Sequence, residues 1–187
     1  PNRVLLVDRV DRAIAHARRA HTSTAVLFID LDRFKVINDS LGHSAGDRVL
    51  QVAASSIKGL MREGDVVARM GGDEFVILTP AIHGVADAVH IAQKVRDSLR
   101  APLQIEGREI FITGSMGVAL YPDDGDNAET LLKNADTAMY RAKSQGSDMF
   151  QLYTPELNAH AVEQMALESA LRRAVQNKEF ELHYQPI

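Results

Sequence analysis

The sequence alternates between two hydrophobic patterns. Short apolar runs are typical of buried strands, and apolar residues that recur every three or four positions are typical of amphipathic helices. Runs that predict strands cover residues 25–30, 66–70, 75–79, 103–105 and 108–120. Recurrences that predict helices cover residues 49–60, 85–99 and 131–142, the last ending near Gly146. The pattern therefore predicts an α/β domain.

The C-terminal part shows a change of organisation. A further helix is predicted from about Pro155 to Gln176, followed by an alternating, strand-like segment over 179–184. We therefore predict a main domain over 1–153, a linker helix over 154–178 and the start of another domain over 179–187. Because the sequence begins without methionine and ends inside this strand, we expect it to be a piece of a longer protein.

Composition narrows the class of protein. Of the 187 residues, 45% are hydrophobic and 25% are charged, which is typical of a soluble globular domain. There are no cysteines, so a disulfide scaffold is excluded and a cytoplasmic location is expected. A net charge of -4 disfavours a nucleic-acid partner. No apolar run reaches the roughly 20 residues of a membrane span.

Acidic residues gather at the ends of predicted strands. Asp73 and Glu74 follow Gly71 and Gly72, a dipeptide that favours a tight hairpin between two strands. Asp30 ends another apolar strand. If these strands are neighbours, the carboxylates converge and repel each other unless a cation lies between them. Mg²⁺ is the usual cation at such sites, and it commonly brings substrate phosphates with it.

Residues 71–75 resemble the signature of the GGDEF family of diguanylate cyclases. Similar segments cover residues 28–39, 41–43, 45–47, 115–118, 121–122 and 135–143, so the resemblance extends over about 1–153. It implies an α/β (α+β) fold with a mainly antiparallel central sheet flanked by helices, as in palm-like nucleotide cyclases. The implied activity is the condensation of two GTP molecules into cyclic di-GMP by two facing copies of the domain.

The resemblance also implies roles for individual residues. Asp30, Asp73 and the backbone carbonyl of Leu31 would hold Mg²⁺, with Mn²⁺ as an alternative. Asp73 or Glu74 would activate the attacking hydroxyl, and the sequence does not decide between them. The implied substrate-binding residues are Asn38 and Asp47 on guanine, Phe34 and Lys35 in a phosphate-binding turn, Lys143 on the terminal phosphates, and the hairpin residues Gly71 and Gly72. Lys35 is also the implied transition-state stabiliser.

Arg62 and Asp65 resemble the RxxD inhibitory site at which the product cyclic di-GMP binds. Their distance from Gly71 supports this interpretation, whereas an ordinary surface ion pair is the alternative. Asp32 is interpreted as structural, and His43 as a packing residue or a helix-entry residue rather than a ligand.

The sequence departs from the family after Lys143. A glycine, a basic residue and an asparagine are common there, whereas this chain has Gly146, Ser147 and Asp148. The missing cation and the additional acid favour a rival function, that of a GTP-binding regulatory domain. A palm-type nucleotidyl transferase acting on DNA is disfavoured by the acidic net charge.

The tail from Glu168 to Ile187 resembles the opening of an EAL phosphodiesterase domain. We therefore expect a tandem parent protein in which a C-terminal EAL domain is a partner of this domain. A preceding region, absent here, is a candidate sensor and membrane anchor.

Overall fold

The computed structural model describes residues 3–105, 107–157, 170–171, 173–175, 177 and 179. Contacts divide the chain into two units, Pro1–Thr154 and Pro155–Ile187. In the second unit, residues 155–157, 170–171 and 173–175 are helical. The strand predicted over 179–184 lies outside the described residues except for Glu179. The predicted domain boundaries and the EAL assignment of the tail stay predictions.

The first unit alternates helices and strands. In chain order the elements are α1 (Arg3–Ala20), β1 (Ser23–Leu31), α2 (Phe34–Leu41), α3 (His43–Leu60), β2 (Val66–Gly71), β3 (Glu74–Ile82), α4 (Val85–Leu99), β4 (Leu103–Ile105), β5 (Arg108–Ile110), β6 (Gly114–Tyr121), α5 (Ala128–Ser144) and β7 (Phe150–Leu152).

Five strands form the central sheet in the order β2-β3-β1-β6-β7, and β4 and β5 form a separate hairpin. All neighbours in the main sheet are antiparallel except β6 and β7, which are parallel. The expected fold, a mainly antiparallel sheet flanked by helices, is confirmed.

The prediction of one strand over 108–120 is wrong. The chain leaves the β4–β5 hairpin after Ile110 and joins the central sheet at Gly114. Between them, Thr113 accepts a hydrogen bond from the backbone N–H of Asp32 (2.9 Å) and donates its hydroxyl to the Asp32 carboxylate (2.6 Å). The break therefore serves a contact with the end of β1 that apolar periodicity does not reveal.

The central strand β1 is buried on both faces, which explains its continuous apolar run. Its odd-numbered residues pack in a core with α2, α3 and α4, whereas Val26 and Phe28 pack in a second core with α1 and α5. The two-residue period of a strand places Asp30 on the α5 side of the sheet.

Among the described residues, no helix is long and apolar enough to cross a membrane.

Candidate nucleotide and metal site

The sheet brings the predicted acidic residues together. In the β1–β3 ladder Asp30 lies opposite Glu74, and the Leu31 N–H donates to the carbonyl of Asp73 at 3.3 Å. The turn between β2 and β3 needs a left-handed residue, which Gly72 provides with a φ of 51°. The predicted convergence of the two strand ends is thus present in the structure.

Arg69 fixes the shape of this hairpin. Its Nε and Nη2 both donate to the carbonyl of Gly72, at 2.9 and 2.6 Å. This contact orients the turn immediately before Asp73. Arg69 was assigned no role from the sequence, although its position two residues before Gly71 was the available signal.

Asp30 and Glu74 are partly buried and are repelled by neighbouring carboxylates. Burial raises the pKa of Asp30, the ion pair with Lys143 lowers it, and the nearby Asp73 carboxylate raises it again. Burial also raises the pKa of Glu74, and the charges of Asp136, Asp30 and Asp73 add to this effect. A positive ligand would relieve this repulsion.

The acidic cluster fits a divalent cation that shares its coordination with a substrate. Carboxylate and carbonyl oxygens are hard ligands that suit Mg²⁺, which typically binds one or two carboxylates together with phosphates. Among the described residues, no group of three or more His, Cys, Asp or Glu side chains is arranged to hold a metal. Asp30 and Asp73, with the carbonyl of Leu31, would therefore hold the ion only in part.

The turn that follows β1 leads directly into the N-terminus of α2. Arg33 has a left-handed backbone (φ 58°, ψ 19°), and α2 begins at the next residue, Phe34. The first N–H groups of a helix have no acceptor within the helix, and its dipole favours negative charge there. Phe34 is buried and Lys35 is exposed, so packing anchors the turn while the lysine faces solvent.

Asn38 and Asp47 belong to two consecutive helices, α2 and α3, which meet at Gly46. A Cβ at position 46 would overlap the side-chain oxygen of Asn38, so the amide lies directly against α3. Asp47 is exposed next to this contact and lines a groove of about 350 Å³ whose walls include Lys58 and Phe75. The structure therefore brings both predicted guanine-binding residues to one side of the domain.

Lys143 lies at the acidic cluster itself. Its Nζ is 2.6 Å from Oδ2 of Asp30, which joins the end of α5 to the end of β1.

Asp148 is not a free negative charge, because its carboxylate forms a bidentate ion pair with Arg100. Ser147, where the expected cation is missing, is half-buried and has a φ of 62°.

Arg62 and Asp65 form a tight turn of their own. The Arg62 N–H donates to Asp65 Oδ2 at 3.1 Å, and Arg62 Nε lies 3.6 Å from Oδ1. The Asp65 side chain is only 5% exposed, and its Oδ1 has no hydrogen-bond partner within the described part of the chain. Beside this turn, a cleft of about 310 Å³ reaches His90 and Lys94 of α4.

The fold and this cluster together define an α/β domain with carboxylates and the start of a helix at one end of a mainly antiparallel sheet. Residues 1–149 match the family model described as diguanylate cyclase, GGDEF domain. The chain therefore belongs to the GGDEF family.

Similar proteins share the domain at high identity. Over 186 residues the chain is 45% identical to the bifunctional diguanylate cyclase/cyclic di-GMP phosphodiesterase MucR of Pseudomonas aeruginosa, covering 100% of this chain and 27% of MucR. The chain thus spans about a quarter of that relative's length.

Solved structures agree with the fold. The crystal structure of the GGDEF domain of TpbB from Pseudomonas aeruginosa is 44% identical, with a TM-score of 0.81 over 82% of this chain and 96% of that one. The X-ray structure of an EAL/GGDEF domain protein from M. capsulatus is 45% identical, with a TM-score of 0.71 over 83% of this chain and 100% of that one.

Proposed function

We propose that this domain is a Mg²⁺-dependent diguanylate cyclase that condenses two GTP molecules into cyclic di-GMP and pyrophosphate. The observation that carries the proposal is the meeting of Asp30 and the Asp73–Glu74 turn at the paired ends of β1 and β3. The similarity to the TpbB domain supports the same activity, since that relative is a diguanylate cyclase.

Each group has a chemical task in this proposal. Asp30, Asp73 and the Leu31 carbonyl would hold Mg²⁺, which would supply charge neutralisation of the triphosphate and polarisation of the attacked phosphorus. The N–H groups at Phe34 and Lys35 bind phosphate oxygens, and the Lys35 side chain stabilises the charge that develops during transfer.

Guanine selectivity follows from hydrogen-bond chemistry. A carboxylate such as Asp47 accepts the N–H groups on the Watson–Crick edge of guanine, and the Asn38 amide donates to purine acceptors. Adenine lacks the same set of donors, so we expect GTP to be preferred over ATP.

Glu74 is the better candidate for activating the 3′-hydroxyl. Its pKa is raised by burial and by neighbouring carboxylates, which makes it a stronger base than an ordinary glutamate. Asp73 is assigned to the metal and is therefore the poorer base.

Catalysis requires two copies of the domain in this proposal. One site holds one GTP, whereas the product contains two equivalent phosphodiester bonds, so a two-fold pair of half-sites is the natural arrangement. We expect the rate per molecule to rise with protein concentration.

The second candidate is a GTP-binding regulatory domain that controls an EAL phosphodiesterase in a tandem parent. The serine at position 147 supports it, because no cation stands there to assist a leaving pyrophosphate. The names of MucR and of the M. capsulatus protein support a tandem arrangement, and the tail from Glu168 is the proposed start of the EAL domain.

The deciding experiment is incubation of the chain with GTP and Mg²⁺, followed by chromatography for cyclic di-GMP. If the domain is a cyclase, the assay yields cyclic di-GMP. We expect Asp73→Ala to remove both turnover and the metal-dependent part of GTP binding. Asp39→Ala, an exposed aspartate on α2, is the matched control and should retain both. GTP binding without product would support the regulatory domain, and unchanged binding in Asp73→Ala would refute the metal assignment.

A further inference from the structure

Asp148 is bound through its side chain and through its backbone by two different parts of the fold. Its carboxylate accepts Nε of Arg100 at 2.9 Å on each oxygen and Nη2 at 2.6 Å on Oδ2. Its backbone N–H donates to Oδ2 of Asp32 at 3.0 Å. One residue therefore connects the C-terminal end of α4 with the end of β1.

Asp32 is the centre of this connection. It is 8% exposed, and its carboxylate also accepts the hydroxyls of Thr113 (2.6 Å) and Ser115 (2.7 Å). A buried carboxylate is costly unless hydrogen bonds replace its water, and three donors do so here. Asp32 lies between Asp30 and Arg33, so these bonds fix the chain where the acidic cluster passes into the phosphate-binding turn.

The charge balance gives Arg100 a second task. Asp30, Asp73 and Glu74 place negative charge at a site that must accept an anionic triphosphate. Asp148 adds a further carboxylate on a residue that is hydrogen-bonded to Asp32, next to the turn at Arg33. The planar guanidinium of Arg100 engages both oxygens of Asp148, which is the geometry of a strong charge-assisted pair. Arg100 thereby cancels the additional acid that distinguishes this chain from its family.

We propose that Arg100, Asp148 and Asp32 form a positioning network that permits GTP binding by neutralising Asp148 and by holding the turn at Phe34 and Lys35. The inference rests on the proposed GTP site. The three residues act through the backbone and through charge. They are positioning residues rather than catalytic ones.

The exposure of the Arg100 and Asp148 side chains distinguishes a role in GTP binding from a purely structural role. The side chains of Arg100 and Asp148 are 44% and 31% exposed, and ion pairs at such positions contribute little to stability. Loss of Arg100 should therefore change GTP affinity more than it changes the unfolding temperature.

The test is calorimetric binding of GTP with Mg²⁺ to the wild type, Arg100→Ala, Asp148→Asn and the double variant, with thermal unfolding in parallel. Arg100→Ala should weaken GTP binding about fivefold, because it leaves Asp148 charged and unpaired. The double variant should return to within about twofold of the wild type, because the charge is gone and the backbone N–H to Asp32 remains. Arg12→Ala is the matched control, since it removes one charge from the exposed Asp8–Arg12 pair on α1.

A second measurement does not depend on GTP. Asp32→Asn replaces one acceptor oxygen with an NH₂ group, so amide hydrogen exchange should accelerate at residues 34, 35 and 148. Equal GTP affinities for Arg100→Ala and Arg12→Ala, or no recovery in the double variant, would overturn the charge role. Unchanged exchange in Asp32→Asn would overturn the positioning role. A wild type that binds no GTP would refute the proposed function, and the exchange measurement would still decide the network.

Discussion

Lys143 Nζ lies 2.6 Å from Oδ2 of Asp30, so the lysine implied for the terminal phosphates contacts a carboxylate implied for the metal. The pair joins the end of α5 to the end of β1, and it lowers the pKa of Asp30 against the opposing effect of burial. A phosphate and a divalent cation would each offer one member of this pair a new partner. The two assignments are therefore compatible, and ligand binding would exchange one ion pair for two contacts.

The raised pKa of Glu74 predicts a stability cost at neutral pH. When the folded-state pKa of a carboxyl group lies above its unfolded value, the associated stability is present below the unfolded pKa, 4.5 for Glu, and is lost as pH rises through the folded pKa. We expect Glu74→Gln to unfold at a higher temperature than the wild type at pH 7, because an uncharged amide avoids the repulsion. The difference should shrink as the pH falls below 4.5.

Thermal unfolding measured from pH 7 to below pH 4.5, without GTP or metal, tests this expectation. Glu109→Gln, an exposed position on β5, provides the control and should follow the wild type at every pH. A lower unfolding temperature for Glu74→Gln at pH 7 would show that the carboxylate is compensated in the ligand-free protein. The same variant should lose turnover, because the amide cannot accept the hydroxyl proton.

Gly46→Ala tests the placement of Asn38 by steric means. The added methyl would overlap the Asn38 side-chain oxygen, so the amide must move away from its position. We expect GTP affinity to fall about fivefold, the equivalent of one hydrogen bond of ~1 kcal/mol. Binding calorimetry measures this change. The affinity for Mg²⁺-pyrophosphate, which has no guanine, should change less, because the added methyl lies 3.2 Å from Phe34 Cζ, a milder contact than the one with Asn38.

Gly59→Ala is the matched control for Gly46→Ala on the same helix. Apart from its chain neighbours and its own helix backbone, no atom of the described residues lies within 4 Å of the Cβ position at residue 59. This variant should gain up to ~1 kcal/mol in the free energy of unfolding from helix propensity and should bind GTP normally. Equal GTP affinity in both variants would mean that Asn38 does not contact the nucleotide.

Arg62→Ala tests the inhibitory site. The buried Oδ1 of Asp65 has no hydrogen-bond donor among the described residues, and the Arg62 guanidinium beside it is exposed. A ligand with phosphates, such as cyclic di-GMP, would give the exposed Arg62 guanidinium a charged partner. We expect Arg62→Ala to weaken cyclic di-GMP binding by ~2 kcal/mol, about 30-fold, through the loss of a charged bidentate contact.

Calorimetry with cyclic di-GMP measures this loss, with Arg12→Ala as the control for removing a surface arginine. GTP affinity should be the same in Arg62→Ala and the wild type. If both arginine variants bind cyclic di-GMP equally well, Arg62 and Asp65 are an ordinary surface pair.

The sequence predicted those elements whose burial is periodic. The residues of α3, α4 and α5 recur at helical spacing, and β1 is apolar because both of its faces are covered. The helix α1 and the strand β7 were not predicted. The latter has three residues and exists through its parallel pairing with β6, a long-range contact that local sequence does not encode.

The candidate site also contains residues that local sequence pattern indicates and contacts that it does not. Its acidic residues lie at or beside strand ends, so local pattern and family resemblance indicated them together. The contacts of Asp32 with Thr113 and Ser115 join residues 81 and 83 positions apart, and Arg100 reaches Asp148 across 48 positions. No periodic signal accompanies such contacts, because they depend on which strand ends and loops the fold brings together.

Ser147→Arg tests the departure from the family directly. The residue at 147 already has a side chain and a positive φ, so arginine adds no new backbone restriction. A cation there should tighten GTP binding by ~1 kcal/mol as a partly exposed, charge-assisted contact. If the missing cation also limits catalysis, cyclase rate should rise as well, because charge shifts toward pyrophosphate in the transition state.

Arg100 determines whether the introduced guanidinium is available to the triphosphate. In the wild type Asp148 is already paired with Arg100, so it leaves a new arginine at 147 free to contact phosphate. In an Arg100→Ala background Asp148 should compete for that guanidinium, and the gain in GTP affinity should fall to less than half. Calorimetry on the single and double variants separates these cases. An unchanged affinity in Ser147→Arg, with the fold intact by circular dichroism, would mean that position 147 does not face the triphosphate.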